Sequence, residues 1–365
     1  MYKVGMITGK FLPPHRGHII QIINSATQCE KLYVLISDNK AQTERLCKES
    51  NLPVMDLLTR TKWLSQELQG FDHIKVVMID ESNIPEYPDG WVGWTALAKK
   101  AIPEKIDVIF GGEQDYTKGF AQFFPETEYK LYDYERTQYS ISGTLVRQNP
   151  FKYWDYILGS ARPFFAKKIL LTGTESCGKT TLTKYLGKIF HTSWSEEAGR
   201  FYANKFLGDN EDVYTLKDFQ RITYMQYEAD MDALRKANKV VFYDTDALVT
   251  LYYLNLYLNI PNDPLIEGFV DPSRYDAVLL CTPSVKWVDD GMRFMGKQNR
   301  REELHKELEK MYFERGFENK TYMIDGDYNQ RLNKAIEITN ELIFKQISIE
   351  KKEFMFFSSG LKKTK

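Results

Sequence analysis

The sequence predicts an α/β protein built from two doubly wound parallel-sheet domains in tandem. Three observations carry that prediction. The chain has 365 residues, more than twice a common domain length of about 150. Short apolar runs alternate with amphipathic helical segments along nearly its whole length, the pattern of helix-covered parallel sheets. Those runs form two series, separated by an aromatic-rich stretch that contains Pro and Gly.

In the first series, strands are expected at 3–7, 31–37, 74–79 and 107–110. In the second they are expected at 168–172, 240–243, 277–281 and 322–324. Each run is rich in Val, Ile, Leu, Tyr or Phe and is bounded by polar or turn residues. Helices are expected at 18–28, 59–68, 180–189 and 216–236, where apolar residues recur at helical spacing. The separating stretch, QNPFKYWDYILGSARPFFAK, carries Pro150, Gly159 and Pro163. It has too many aromatics for a flexible linker, so it is expected to pack between the domains. This places a first domain at 1–150, a connection at 151–167 and a second domain at 168–344. A lysine-rich tail, 345–365, has six Lys against two Glu and is expected to be a frayed, solvated end.

Composition narrows the function classes. Lys plus Arg is 49 and Asp plus Glu is 50, for a net charge of −1. That balance does not suggest a strongly basic nucleic-acid binder. With 43% hydrophobic and 27% charged residues, the chain is neither disordered nor fibrous. Its four cysteines, Cys29, Cys47, Cys177 and Cys281, form no CxxC pair, and reduced thiols are expected. There is no secretory signal pattern and no apolar run of about 18 residues. The richest stretch, 247–258, is interrupted by Thr250 and Asn255. A cytoplasmic protein without membrane insertion is expected.

Two segments carry phosphate chemistry. The first strand runs into a loop with Gly9, Pro13 and Pro14, and a helix begins near Gly17. His15 and His18 lie at that junction. A helix N-terminus offers free N–H groups to an anion. Two imidazoles there can donate to the oxygens that gain charge when a phosphate group is transferred. Two of the chain's five histidines fall in this four-residue window, which favours function over incidental placement. A zinc-binding HxxH pair is the alternative, and no further His or Cys cluster supplies more ligands. Downstream, Ser142 and Thr144 can cap a helix, and Arg147 can fork onto phosphate oxygens. Trp91 and Trp94 follow a Pro-Asp-Gly turn; Trp is usually core, but a turn position suits stacking on a cationic ring.

The second segment, Gly173-Thr174-Glu175-Ser176-Cys177-Gly178-Lys179-Thr180, fits GxxxxGK[ST]. A strand precedes it and a helix follows, as a phosphate-binding P-loop requires. Its N–H groups can cradle phosphates, Lys179 can reach the β- and γ-phosphates, and Thr180 can ligate Mg²⁺. Asp244 and Asp246, read as two apart on one strand, are expected to face the same way. One can organise Mg²⁺ and the other can accept a hydroxyl proton. The cluster Glu196-Glu197-Ala198-Gly199-Arg200 is a place for the acceptor. Arg293, Arg300 and Arg301 suit a lid that closes over the transferring phosphate.

Gly9, Phe11, Pro13, His15, Gly17 and His18 match GxFxPxHxGH, and Ile141-Ser142-Gly143-Thr144-Leu145-Val146-Arg147 matches ISxTxxR. With both motifs, the first domain resembles the HxGH nucleotidyltransferase superfamily. The Trp91 turn and Gly111-Gly112-Glu113 are similar to its nicotinamide mononucleotide adenylyltransferases. With the P-loop domain behind it, residues 1–343 resemble the bifunctional adenylyltransferase/ribosylnicotinamide kinase of bacteria, the NadR type.

The resemblance implies a Rossmann-like HxGH domain followed by a P-loop kinase. ATP phosphorylates ribosylnicotinamide, and a second ATP converts the mononucleotide to NAD and pyrophosphate. His15, His18, Lys179, Asp246 and Arg293 are then catalytic. Gly9, Lys10, Phe11, Ser142, Thr144 and Arg147 take the adenylyltransferase's ATP, and Trp91, Gly111 and Glu113 take the nicotinamide nucleotide. In the kinase, Gly173, Glu175, Ser176, Cys177, Gly178, Lys179, Thr180 and Thr181 hold ATP. Arg200, Asp244 and Asp246 hold ribosylnicotinamide, and Thr180 with Asp244 holds Mg²⁺, the expected cofactor. Many members begin with a helix-turn-helix; this sequence opens on the first strand, so no specific DNA binding is expected. A homo-oligomer and a functional link to a ribosylnicotinamide transporter are both compatible with the resemblance. An adenylyltransferase for another phosphorylated acceptor, or a non-catalytic NAD/ATP sensor, are the alternatives.

Overall fold

The computed structural model describes residues 1–132, 140–284 and 298–359. Two compact units emerge, Met1–Arg162 and Pro163–Lys365. Most of the aromatic connection, 151–162, therefore belongs to the first unit, where Ser160 donates its N–H to Glu67 (2.7 Å).

The first unit runs β1 (Tyr2–Gly9), α1 (Arg16–Ala26), β2 (Cys29–Asp38), α2 (Lys40–Glu49), α3 (Leu57–Glu67), β3 (Ile74–Asp80), α4 (Trp91–Ala101), β4 (Val108–Gly111), α5 (Thr117–Phe123), β5 (Glu128–Leu131) and α6 (Gly143–Gln148). Its five strands lie in the order β3-β2-β1-β4-β5, all parallel. β2 is almost continuously buried, as expected of a parallel strand covered on both faces. Val4, Met6, Tyr33, Leu35, Ile79, Ala98, Ile109 and Phe120 make the core. The order reverses between β1 and β4, and open α/β sheets bind ligands at the carboxyl ends beside such a switch.

The second unit contains α7 (Arg162–Phe165, beginning on the last residue of the first unit), β6 (Lys167–Thr172), α8 (Lys179–Ile189), β7 (Trp194–Ser195), α9 (Ala198–Tyr202), α10 (Leu216–Arg235), β8 (Val240–Asp244), α11 (Ala247–Leu258), α12 (Pro264–Glu267), β9 (Ala277–Cys281), α13 (Gln298–Glu314), β10 (Thr321–Ile324) and α14 (Tyr328–Ser359). The parallel strand order is β10-β9-β6-β8-β7. β8 and β9 are buried throughout, and the apolar helix α11 is sunk in the core.

Both sheets are those the sequence predicts, with two strands added. β5 and β7 are short edge strands, too brief to show periodicity. Two other expectations change. The helix α14 extends to Ser359, so the backbone of the tail is helical for most of its length. Asp244 and Asp246 do not share a strand face: β8 ends at Asp244, Thr245 turns the chain at φ +72°, and Asp246 caps α11. Among the described residues no helix is long and apolar enough to cross a membrane.

Candidate active sites

In the first unit, His15 is the N-cap of α1 and His18 is its third residue. Each bonds the backbone of the other's turn, the His15 N–H donating to His18 Nδ1 at 3.2 Å. The two rings stack at 3.6 Å, and the edge of Phe11 meets His18 at 4.9 Å. Gly17 leaves close room between them: a Cβ there would lie 3.2 Å from the His15 ring and from Ile141, so those side chains would have to give way. Phe11 itself is buried in a left-handed conformation, φ +48°, which costs energy for a bulky residue.

The loop that carries Phe11 is gripped from behind. Arg60, fully buried on α3, donates to the Lys10 carbonyl, to the Met55 carbonyl (2.9 Å) and to Asp38. Asp38 also accepts from the Thr43 hydroxyl at 2.6 Å. Arg147 donates to the Leu12 carbonyl (2.5 Å) and to Thr144 Oγ1 (3.2 Å). The sequence suggests that Arg147 is an open fork for phosphate; in the structure its guanidinium is buried and its outer nitrogens bond the protein. Ser142 caps α6, accepting the Leu145 N–H at 3.2 Å. Nothing in the motifs points to Arg60. The available signal is that Arg60, Trp63 and Leu64 share the buried face of α3.

A cavity of about 430 Å³ opens beside this loop. Thr8, Gly9 and Lys10 line it, together with Tyr87, Trp91, Trp94 and Tyr116. Lys10 reaches Gln42; burial pulls its pKa down, and Glu81 opposes that pull. Trp91 is stacked on Phe123 at 5.8 Å and meets Phe120 and Trp94 edge-on, so it is both core and cavity wall. Trp94 donates to Ser37 (3.2 Å). Gly111 and Glu113 lie at the end of β4 outside this lining. A Cβ on Gly111 would strike Tyr129, whose hydroxyl donates to the Glu113 carbonyl (2.7 Å).

In the second unit the P-loop joins β6 to α8. Gly173 has φ +142°, and a Cβ there would lie 2.6 Å from the Cys281 carbonyl and 2.8 Å from Cys177 Sγ. Ser176 (φ +56°) and Gly178 (φ +85°) are also left-handed. Lys179 is buried and donates to the Thr174 carbonyl at 3.0 Å. Burial would lower its pKa, but Cys177, Glu197 and Asp244 around it hold it raised. A cavity of about 440 Å³ is lined by Glu175, Ser176, Gly178, Lys179, Thr180 and Thr181 of this segment. Glu197, Arg200, Gln226 and Thr245 also line it, and Tyr214, Phe219, Tyr253 and Tyr257 form an aromatic wall. Tyr214 lies 5.0 Å from Phe219 and 5.5 Å from Tyr257, ring to ring. These aromatics escape a motif search because they come from separate elements.

Asp244 is buried beside this cavity, and neither of its oxygens meets a donor in good geometry among the described residues. Burial pushes its pKa up to about 7, and Glu197 adds to the rise; the Lys179 ammonium and the Thr180 hydroxyl pull the other way. Asp246 stands apart. It accepts from the Val249 N–H (3.2 Å) and the Tyr312 hydroxyl (2.6 Å), and it lies outside the cavity lining. Arg293, the expected lid arginine, is outside the described residues. Arg301 is buried, with its guanidinium on the Ser176 carbonyl at 3.3 Å.

A family model described as an AAA domain matches residues 168–331. The "Trifunctional NAD biosynthesis/regulator protein NadR" of Escherichia coli strain K12 is 31% identical over 347 residues, covering 94% of this chain and 84% of that protein. The chain belongs to the NadR family. A solved NadR structure in complex with NR aligns with TM-score 0.78 at 27% identity, over 93% of this chain and 96% of that one. Another NadR, in complex with NAD and AMP-PNP, aligns with TM-score 0.76 at 28% identity, over 94% and 96% of the two chains. The NadR alignments thus span both units, not the P-loop segment alone.

Proposed function

We propose that this chain makes NAD from ribosylnicotinamide in two ATP-consuming steps, one in each unit. The observation that carries the reading is the kinase cavity, which is lined both by the P-loop and by a group of aromatic side chains. A pyridinium nucleoside has the matching chemistry: a flat cationic ring for the aromatic faces and a 5′-hydroxyl to accept the phosphate.

In that step the hydroxyl oxygen attacks the γ-phosphorus of ATP and ADP leaves. The P-loop N–H groups and Lys179 stabilise charge on the transferring oxygens. Glu197 lines the cavity, where its charge acts on Lys179 and Asp244, and takes the hydroxyl proton, in place of the sequestered Asp246. Asp244 and Thr180 would hold Mg²⁺. A buried carboxylate without a well-placed donor fits a hard cation, and Mg²⁺ needs only one or two protein oxygens beside phosphate and water. Among the described residues no cluster of three or more His, Cys, Asp or Glu could hold a metal, and this arrangement requires none. When bound, the ion neutralises β- and γ-phosphate charge. Arg200 and Gln226, which line the same cavity, bind the ribose.

In the first unit the 5′-phosphate of the mononucleotide attacks the α-phosphorus of ATP and pyrophosphate leaves. His15 and His18 donate to the phosphate oxygens at the start of α1. Gly9, Lys10 and Phe11 shape the phosphate loop, with Ser142, Thr144 and Arg147 behind it. Trp91 offers the nicotinamide a face, and Gly111 and Glu113 lie nearby in the β4 loop. Both steps rest on positioning and charge stabilisation, without a covalent enzyme intermediate.

Incubation with ribosylnicotinamide, Mg²⁺ and ATP, followed by chromatography, tests the reading. Wild type is expected to yield NAD. His18→Ala is expected to stop at the mononucleotide. Lys179→Ala is expected to leave ribosylnicotinamide untouched, with a kinase loss of roughly 10²–10³, yet still convert supplied mononucleotide to NAD. Absence of any turnover in wild type would leave a ligand-sensing role.

A further inference from the structure

The P-loop bonds the rest of the protein through its carbonyls. Lys179 holds the Thr174 carbonyl at 3.0 Å, Arg301 the Ser176 carbonyl at 3.3 Å, and Arg331 the Cys177 carbonyl at 2.6 Å. Arg331 comes from α14 and is itself only 3% exposed. Its remaining nitrogens are spoken for. Nε donates to the Gly326 carbonyl (2.8 Å), and Nη2 donates to the Thr282 carbonyl and the Ser284 hydroxyl (2.7 Å each). One guanidinium thus ties the P-loop to the loops that follow β9 and β10.

We infer that Arg331 is a positioning residue for phosphoryl transfer, acting through the Cys177–Gly178 peptide; the inference rests on the kinase reading above. A peptide unit is planar, with its C=O and N–H pointing in opposite directions. Holding the Cys177 carbonyl from behind therefore aims the Gly178 N–H the other way, and Gly178 lines the cavity. A cation on the carbonyl side also polarises the peptide, which strengthens the N–H as a donor to phosphate. The grip falls where the backbone needs it. Ser176, just before this peptide, holds φ +56° without being glycine, and such a conformation persists only when its surroundings over-determine it. Arg301 and Arg331 hold the two consecutive carbonyls that follow that strained φ. Arg331 touches no substrate in this account, because all its bonds are to the protein.

The test uses the full chain with Arg331→Met, which keeps bulk and removes the donors, and Arg331→Lys, which keeps the charge. Kinase KM and kcat for ATP, KM for ribosylnicotinamide, and adenylyl transfer from supplied mononucleotide are measured on each sample. Loss of a charge-assisted hydrogen bond predicts that KM for ATP rises roughly tenfold to hundredfold in Arg331→Met. A smaller rise is expected in Arg331→Lys, with KM for ribosylnicotinamide within about twofold of wild type. Adenylyl transfer, housed in the other unit, stays unchanged. A merely structural role would lower kcat through loss of active molecules and leave KM for ATP in place; that result, or wild-type kinetics in both variants, overturns the inference. If Arg331→Met does not fold, the KM-against-kcat split in Arg331→Lys decides. No phosphoryl transfer by wild type would instead remove the kinase reading itself.

Discussion

The proposed mechanism gives Glu197 the role of base and leaves Asp246 a structural one. Both are acidic residues at helix starts in the second unit. Asp246 is committed to the Val249 N–H and to Tyr312, whose hydroxyl also meets Thr172 at 2.8 Å. Glu197 lines the cavity, and its charge is felt by both Lys179 and Asp244. Glu197→Gln is therefore expected to lower kinase kcat by roughly 10²–10⁴, the usual worth of a general base, with KM for ATP little changed. Asp246→Asn is expected mainly to lower the melting temperature, because it weakens a buried charge-assisted bond. Steady-state kinetics and thermal melts of both variants check this, and a reversal of the two phenotypes would return the base to Asp246.

At the scale of elements, α10 links stability to pH. Phe219, Ile222, Gln226 and Asp230 recur along its buried face. Gln226 faces the cavity, accepts the Ala198 N–H at 2.8 Å and donates to Asp230 at 2.9 Å. Asp230 also accepts from Ser195 (2.7 Å) and Arg274 (3.1 Å). Burial pushes its pKa up to about 6 despite these donors. An acid whose folded pKa is raised favours the folded state most when protonated in both states, and that contribution fades as pH rises to the folded value. The stability difference between wild type and Asp230→Asn is thus expected to shift against wild type from about pH 4, near the unfolded value, to about pH 6, and then to level off. Thermal melts of the two proteins across that range read it directly; a flat difference would place Asp230 outside the titration.

For the whole molecule, each cavity is lined by residues of a single unit. A site complete within its own unit predicts complementation. Mixing His18→Ala with Lys179→Ala is expected to restore NAD formation from ribosylnicotinamide, with mononucleotide passing through solution from one variant to the other. An early lag that shortens as protein concentration rises is the expected signature. No NAD from the mixture, while each variant performs its own half-reaction, would mean that the intermediate must stay on one chain.

Much of this was legible in the amino acids. Apolar runs mark the long central strands because a parallel strand covered on both faces must be apolar throughout. The helix starts at His15 and Gly178 announce themselves because phosphate loops need particular residues at fixed local spacing. The short edge strands β5 and β7 carried no such signal. Nor did the parts of each site that depend on distant segments meeting. Arg60 on Lys10, Arg331 on Cys177, and the tyrosine wall join residues as far as 154 positions apart. Tertiary structure also decided that Asp246 is a cap, that Trp91 is partly core, and that Arg147 is turned onto the Leu12 carbonyl. The physical reason is one of range. Propensity, periodicity and loop chemistry act between near neighbours and are written in order along the chain, whereas burial and hydrogen-bond partnership are settled only when the packed elements bring remote side chains together.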